Sequence, residues 1–216
     1  MQAIILAVLI ALLAPSTQPA DNSELRDMFE QDQAARSGDS FQKDAEQIHA
    51  FDAMRRLRVL RLLDDGAAQT PHDFFHAAMV LQHGDSPLDY KLSNELCKRA
   101  VAMDPNFKAA KWLSAASWDR YLHSIGKPQI YGTQFTIVDG KYYLMKADLA
   151  QVTDEERKAV GTRTIEEIKE FLKKQNGTTE ASLDPAPEQA GRWNASMPAP
   201  NPKATTKATT KPATQP

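Results

Sequence analysis

Two helix-opening pairs, each a hydroxyl residue followed by proline, divide the middle of the chain into short segments. Thr70-Pro71 and Ser86-Pro87 place a capping side chain directly before a proline. Proline is tolerated in the first turn of a helix but not in its interior, so each pair predicts a helix start. Gly84 ends the helix between them and leaves only a very short link. Links this short predict that neighbouring helices lie antiparallel.

Apolar residues at helical spacing extend this pattern to an array of about five helices. Ser23 is the predicted cap of the first helix, and the second covers about residues 41–63. The fourth helix ends near Met103, and Asp104-Pro105 leads into the fifth. The predicted apolar positions are Ile48, Phe51, Met54 and Leu57 in the second helix, Phe74, Ala77, Ala78 and Leu81 in the third, and Ala109, Trp112, Leu113, Ala116 and Tyr121 in the fifth.

The pattern changes from helix to strand in the last third of the folded region. Residues 134–145 predict a β-hairpin whose two-residue turn is Asp139-Gly140. Two capping boxes, which begin at Thr153 and Thr164, then predict one or two C-terminal helices. The expected fold class is therefore mainly α, an antiparallel helical array with one β-hairpin.

The two ends of the chain differ from this body. Residues 3–14 form an unbroken apolar run of 12, too short to cross a bilayer but typical of the core of a signal peptide. We therefore expect a signal peptide at 1–20, a folded domain at 21–176, and a disordered Pro/Thr/Ala/Lys tail at 177–216. This organisation predicts export to the periplasm or cell exterior, without a transmembrane segment once the signal is cleaved. An uncleaved signal would instead tether the protein to the membrane.

Charge and cysteine content exclude several classes of function. The 26 basic and 28 acidic residues give a formal charge of -2, which does not favour nucleic-acid binding. The single cysteine, Cys97, excludes a disulfide framework and a multi-cysteine metal site. His72, His76 and His83 share a helical stripe but lack an evident third ligand, so we expect exposed histidines on a polar face. No metal and no cofactor is predicted.

Polar residues in four places are the candidates for function. The loop 126–134 holds two glutamines, Gln129 and Gln134, and Tyr131, and it either grips a polar ligand or satisfies its own peptide groups. Gln82 and His83 end the third helix, and Asp119 and Arg120 lie late in the fifth. If those helices pack together, His83 and Asp119 could perform acid–base chemistry while Arg120 holds an anion. Caps and structural ion pairs explain such residues equally simply.

Four motifs in this order resemble those of a bacterial family known as a domain of unknown function. The motifs are Asp32-Gln33-x-x-Arg36, Ala77-Ala78-x-x-Leu81-Gln82-His83, Asp119-Arg120-Tyr121-Leu122 and Gly126-Lys127-Pro128-Gln129-x-Tyr131-Gly132-Thr133-Gln134. The resemblance covers about residues 24–135 and implies a bacterial, often exported, helical domain. Residues 78–110 also resemble one tetratricopeptide-like helical hairpin, with no second copy.

These observations leave two classes of function open. The first is an exported, non-enzymatic binding module for a protein or envelope polymer, which uses the loop 126–134 near His83 and Arg120. The alternative is an envelope hydrolase or lyase in which His83 and Asp119 act as acid and base. A purely structural role for the polar set is the third interpretation.

Overall fold

The computed structural model describes residues 19–37, 45–180, 182 and 183, and these form a mainly helical fold with one hairpin. The helices are α1 (Ser23–Ala35), α2 (Ala45–Asp64), α3 (Pro71–Leu81), α4 (Pro87–Met103), α5 (Lys108–Ser124), α6 (Asp154–Ala159) and α7 (Ile165–Asn176). Strands β1 (Phe135–Val138) and β2 (Lys141–Leu144) pair antiparallel, and a 3-10 turn covers Leu149–Gln151. The predicted fold class is confirmed. The apolar run 3–14 and most of the tail lie outside the described residues.

Local capping chemistry fixes most helix starts where the sequence predicts them. Thr70, Ser86, Thr153 and Thr164 each close a capping box with the acidic residue three positions later. Two starts differ from the prediction. Asn22, not Ser23, caps α1 by accepting a hydrogen bond from the Leu25 N–H. The fifth helix begins at Lys108, three residues after Pro105, because residues 104–107 form a turn closed by the hydrogen bond from the Phe107 N–H to the Asp104 carbonyl.

Helix α3 is the centre of the main core. Every residue from Asp73 to Leu81 is buried, since α1, α2 and α4 all pack against this helix. Helix α5 packs mainly on α4 and also touches α3. The predicted buried positions Phe74, Ala77, Ala78 and Leu81 are confirmed.

The face of α2 is the main correction to the predicted helices. Of the predicted apolar stripe, only Ile48 is buried. Phe51, Met54 and Leu57 are 48%, 66% and 64% exposed. The buried face instead carries Asp52, Val59 and Leu62. Asp52 can lie inside the protein because Arg36 forms an ion pair with it. The apolar period of the sequence therefore points to the wrong side of this helix.

The hairpin packs on the last helix and closes a second, smaller core. Its turn residues Asp139 and Gly140 both have positive φ, as the predicted two-residue turn requires. Leu144 of β2 is buried against Ile168 and Leu172 of α7. Leu183 also packs against this cluster. No helix within the described residues is long and apolar enough to span a membrane.

Candidate functional site

The side chain of Asp119 binds the backbone of the candidate loop. One carboxylate oxygen accepts hydrogen bonds from the N–H groups of Ile130 and Tyr131 at 2.9 and 3.0 Å. The other accepts from the N–H and the hydroxyl of Thr133 at 3.0 and 2.7 Å. Burial raises the pKa of Asp119, and these four donors oppose that rise by stabilising the ionised carboxylate. Asp119 therefore holds the loop in place and has no oxygen left over for acid–base work.

Gln129 closes the loop on itself and joins it to the hairpin. Its side-chain oxygen accepts from the Gln134 N–H at 2.8 Å, while its amide nitrogen donates to the carbonyls of Gln134 and Met145. Its own backbone pairs with the segment after β2, through the Lys146 carbonyl and the Asp148 N–H. The amide of Gln134 is buried too and donates to the Ala116 carbonyl and the Thr133 hydroxyl. Both glutamines thus satisfy backbone groups, as one of the two interpretations of this loop requires.

Arg157 supports the same loop from α6, and the sequence analysis missed it. Its side chain is 0% exposed, and its guanidinium donates to the carbonyl of Ile130 and to that of Leu149. Asp154 lies 3.6 Å from its Nε atom and supplies a compensating negative charge. No sequence signal marks this residue, because a lone arginine in a short charged helix is usually exposed.

Close packing explains one glycine of the loop. Gly132 has φ +77°, a conformation that favours glycine, and a side chain there would meet Ile168 Cδ1 of α7 at 2.5 Å. The loop therefore lies directly on the second core at Gly132. Its backbone N–H groups are bound by Asp119 of α5.

A second group of polar residues, separate from the loop, joins α1 to the end of α3. His83 Nδ1 lies 3.0 Å from both carboxylate oxygens of Asp32, and its Nε2 lies 3.0 Å from the amide nitrogen of Gln82. These contacts fit a neutral imidazole whose Nδ1–H donates to Asp32. Arg36 also bonds to Asp32, at 2.8 Å, and then to Asp52 of α2. The charged members Asp32, Arg36 and Asp52 therefore alternate in sign, and together with His83 they link α1, α2 and the end of α3.

The charges within this group set the protonation of its members. Burial lowers the pKa of His83 because it disfavours the charged imidazolium, and Asp32 opposes this shift only in part. Burial alone would raise the pKa of Asp32, but His83 and Arg36 lower it overall. Arg120 of α5 lies close enough to affect His83, and burial lowers the pKa of Arg120 to about 10. Tyr90 of α4 shares this environment, and burial raises its pKa to about 12.

The structure divides the predicted site residues between these two groups. Gln82, His83 and Arg120 belong to the charged group between the helices, whereas Asp119, Gln129 and Gln134 belong to the loop. Tyr131 lies on the loop and is only half-buried. The carboxylate partner of His83 is thus Asp32, and Asp119 is occupied by the loop. Asp119 and Arg120 are adjacent in α5, but Asp119 belongs to the loop and Arg120 belongs to the charged group. Helix α5 therefore contributes a residue to each group.

The histidine stripe of α3 is a further correction. His72 is exposed, but His76 is buried and its ring stacks on Phe29 at 4.7 Å between centroids, so the expected exposed row does not form. His83 is buried as described above. Within the described parts of the chain, no three His, Cys, Asp or Glu side chains are arranged to hold a metal ion. Cys97 is buried, and burial raises the pKa of its thiol.

An open groove lies on the other side of the main core, between α2 and α4. Its volume is about 640 Å³, and Phe74 of α3 is part of its lining. Leu60 and Leu63 line it from α2, and Arg99 of α4 lies 4.2 Å from the centre of the Phe74 ring. The rest of the lining includes the apolar residues Pro19, Ala68, Leu92, Leu96 and Met103 and the polar residues Asp64 and Gln69. This volume is within the range of natural ligand sites.

An exposed apolar ridge on α2 leads into the groove. Phe51, Met54, Leu57 and Leu60 follow one another at intervals of three residues, and each is between 38% and 66% exposed. Leu60 belongs to both features and so joins the ridge to the groove. We call the groove and the ridge together the α2–α4 surface. Sequence analysis found three residues of the ridge, Phe51, Met54 and Leu57, but assigned them to the core.

Comparisons with protein families, with characterised proteins and with solved structures give no match to this chain. Its function therefore has to be inferred from the residues and contacts described above.

Proposed function

We propose that this protein is an exported, non-catalytic binding module that takes an apolar segment of a polypeptide on its α2–α4 surface. The observation that carries the proposal is the contrast between two sets of residues. Most of the polar motif residues are buried and bonded within the fold, whereas a run of large apolar side chains is exposed beside an open groove. Exposed apolar surface of this extent is typical of interaction sites.

The lining of the groove supports a polypeptide as the occupant. Helix and strand ligands commonly insert apolar side chains into such grooves. An envelope glycan would instead need many hydrogen-bonding groups, and among the lining side chains only Asp64, Gln69 and Arg99 supply them. The loop 126–134 was the predicted binding element, but its glutamine amides are committed to backbone groups. We therefore place binding on the α2–α4 surface and assign the loop a structural role.

Selection of peptides from a displayed library of 12-residue sequences against the immobilised protein tests this proposal. We expect the enriched peptides to be apolar or amphipathic. Their affinity should fall at least about tenfold in the variant Leu60→Ser/Met103→Ser, because both side chains line the groove. Both are partly exposed, so the fold should survive.

A matched control variant is Ile137→Ser, which removes a side chain of similar exposure from the hairpin. Equal binding by the wild type, the groove variant and this control would overturn the proposal. Loss of binding in Tyr131→Ala alone would return the binding site to the loop. Turnover of envelope glycans or peptides that disappears in His83→Ala would favour the hydrolase alternative, with Asp32 as the partner of His83.

Export is the second part of the proposal, and it rests on the apolar run 3–14 and on the resemblance to an exported bacterial family. Mass spectrometry of the protein isolated from the envelope fraction tests it. We expect a mature N-terminus between residues 15 and 21. Recovery of the intact chain from the cytoplasm would contradict export.

A further inference from the structure

The outer face of α2 carries six exposed residues at the spacing of a helix–helix contact. Successive members are alternately three and four residues apart, which keeps one line of side chains against a partner helix. This line is opposite the face that carries Asp52, Val59 and Leu62, so nothing within the described residues covers it. We call it the α2 seam. Its six residues are Gln47, Ala50, Met54, Leu57, Arg61 and Asp64.

The exposed ridge lies across this seam. Met54 and Leu57 form the apolar centre of the seam, and Phe51 and Leu60 flank that centre on opposite sides. These are the four kinds of position through which one helix of a coiled coil contacts another. A second helix placed on the seam would therefore cover the whole ridge at once.

A second copy of α2 in antiparallel orientation fits the seam. When the two-fold axis lies between Met54 and Leu57, Met54 of each copy faces Leu57 of the other. Leu60 then lies beside the small side chain of Ala53 in the other copy. The apolar centre of each helix thus meets the apolar centre of the other, and a large flanking side chain meets a small one.

The polar ends of the seam also match in this orientation. Gln47 faces Asp64 of the other copy, and its side-chain amide can donate a hydrogen bond to that carboxylate. Arg61 faces the small Ala50 of the other copy and would lie between the carboxylates of Glu46 in that copy and Asp64 in its own helix. Parallel pairing would instead bring the two copies of Arg61 together, and likewise the two copies of Asp64.

Most of the groove stays outside this contact. Of the residues that line the groove only Asp64 belongs to the seam, whereas the polar residues Gln69 and Arg99 do not. Two antiparallel helices are related by an axis perpendicular to both, so the two grooves open on the same side of the pair. A pair therefore offers two peptide sites to one partner, and two linked sites bind more tightly than one.

We propose that two copies of this protein pair antiparallel through the α2 seam and form a dimer with both grooves on one side. This inference rests on the proposed function, since it names a second copy as the partner of the ridge and leaves the groove to the peptide. The contact of a single helix pair falls short of the roughly 1,200 Å² of a stable interface, so the dimer should dissociate on dilution.

Sedimentation of the full chain over about a hundredfold range of concentration tests the dimer. Leu57→Asp places two carboxylates in the centre of the pair, one from each copy, and should weaken dimerisation at least about tenfold. Leu88→Asp on α4 is the matched control, because Leu88 is 76% exposed and lies outside the seam. We expect this control to dimerise like the wild type, and unchanged thermal midpoints would show that both variants fold. A wild type that stays monomeric, or equal dimerisation of all three proteins, would overturn the proposal.

Cross-linking through introduced cysteines tests the orientation. A short bismaleimide should join Gln47→Cys to Asp64→Cys when the two variants are mixed. It should not join Gln47→Cys to itself, because those two thiols would lie about 25 Å apart along an antiparallel pair. The native Cys97 is buried and its thiol has a raised pKa, so it contributes little background. Cross-linking of Gln47→Cys only to itself, or no cross-link in the mixture, would overturn the proposal.

Charge reversal tests whether the partner of the seam is a second copy. Arg61→Glu should weaken dimerisation at least about threefold, because it places a third carboxylate beside Glu46 and Asp64. Adding Glu46→Lys to this variant should restore dimerisation. Failure of the second change to restore it would contradict antiparallel pairing of identical helices.

Other results separate this inference from its alternatives. Association that appears only with phospholipid vesicles would indicate a membrane surface as the partner of the seam and would overturn the inference. Groove-dependent peptide binding by a chain that stays monomeric refutes only the dimer. A dimer that depends on the seam but selects no groove-dependent peptide refutes only the proposed function.

Discussion

Replacement of Asp119 by asparagine gives the sharpest test of the loop. The carboxylate of Asp119 accepts four hydrogen bonds, two at each oxygen. Asparagine has one acceptor oxygen, so its NH₂ group must face either the Ile130 and Tyr131 N–H groups or the Thr133 pair. The Thr133 hydroxyl can rotate and accept from that NH₂ group, but the Thr133 N–H cannot. At least one buried backbone N–H therefore loses its acceptor.

The expected cost follows from these contacts. An unsatisfied buried N–H group costs about 1–3 kcal/mol, and the remaining bonds lose the strength that the negative charge gives them. Removal of a buried charge returns part of this free energy, because burial raises the pKa of Asp119. We expect a net loss of about 3 kcal/mol. For a chain of this size that loss lowers the thermal midpoint by about 9 °C.

Chemical denaturation of the full chain, followed by circular dichroism, measures this loss. Asp148→Asn is the matched control, because the Asp148 side chain accepts one exposed hydrogen bond, from the side-chain amide of Gln151. We expect that variant to stay within about 0.5 kcal/mol of the wild type. An Asp119→Asn variant as stable as this control would refute the assignment of Asp119 as the residue that holds the loop.

Three further predictions concern the core, the loop glycine and pH. Leu62→Ala should cost about 3 kcal/mol and Leu57→Ala under about 0.5, and equal losses would contradict the assigned face of α2. Gly132→Ala should cost about 3 kcal/mol, from positive φ and a collision with α7, whereas Gly161→Ala, which has positive φ but open space, should cost about 1. Equal costs in denaturation curves would refute the collision. Burial lowers the folded-state pKa of His83, so stability should fall as pH drops below the ordinary value of 6.5, by at most about 1.4 kcal/mol per pH unit. Titration of wild type and His83→Asn should show a shallower slope in the variant, and identical slopes would contradict the assignment.

Local chemistry made much of the fold predictable from the sequence. Capping boxes such as that of Thr70 and turn pairs such as Asp139-Gly140 depend only on residues close in the chain. The prediction was wrong for the face of α2, where periodicity favoured the apolar residues. Asp52 takes an inward position there because Arg36 and Arg55 neutralise it. The partner Arg36 comes from the end of α1, and no local pattern in α2 reveals it.

For the candidate site, the sequence likewise predicted some features and missed others. The motifs drew attention to Asp119, Gln129 and His83, and the structure gives each of them several buried hydrogen bonds. Their partners could not be predicted, since the expected packing of the third helix on the fifth suggested that Asp119 and His83 act together, whereas each has a different partner. Arg157 was invisible because only tertiary contacts with backbone carbonyls bury it. The sequence thus identified the important polar residues better than their roles.

Amide hydrogen exchange of the loop tests the central claim most directly, that the polar motif residues hold the fold and are not an open binding site. The N–H groups of Ile130, Tyr131, Thr133 and Gln134 donate to the side chains of Asp119 and Gln129. We predict that all four exchange as slowly as the buried amides of α5, because their release requires unfolding of the surrounding structure. Exchange close to the rate of an unstructured chain would show that the loop opens freely and would contradict this account.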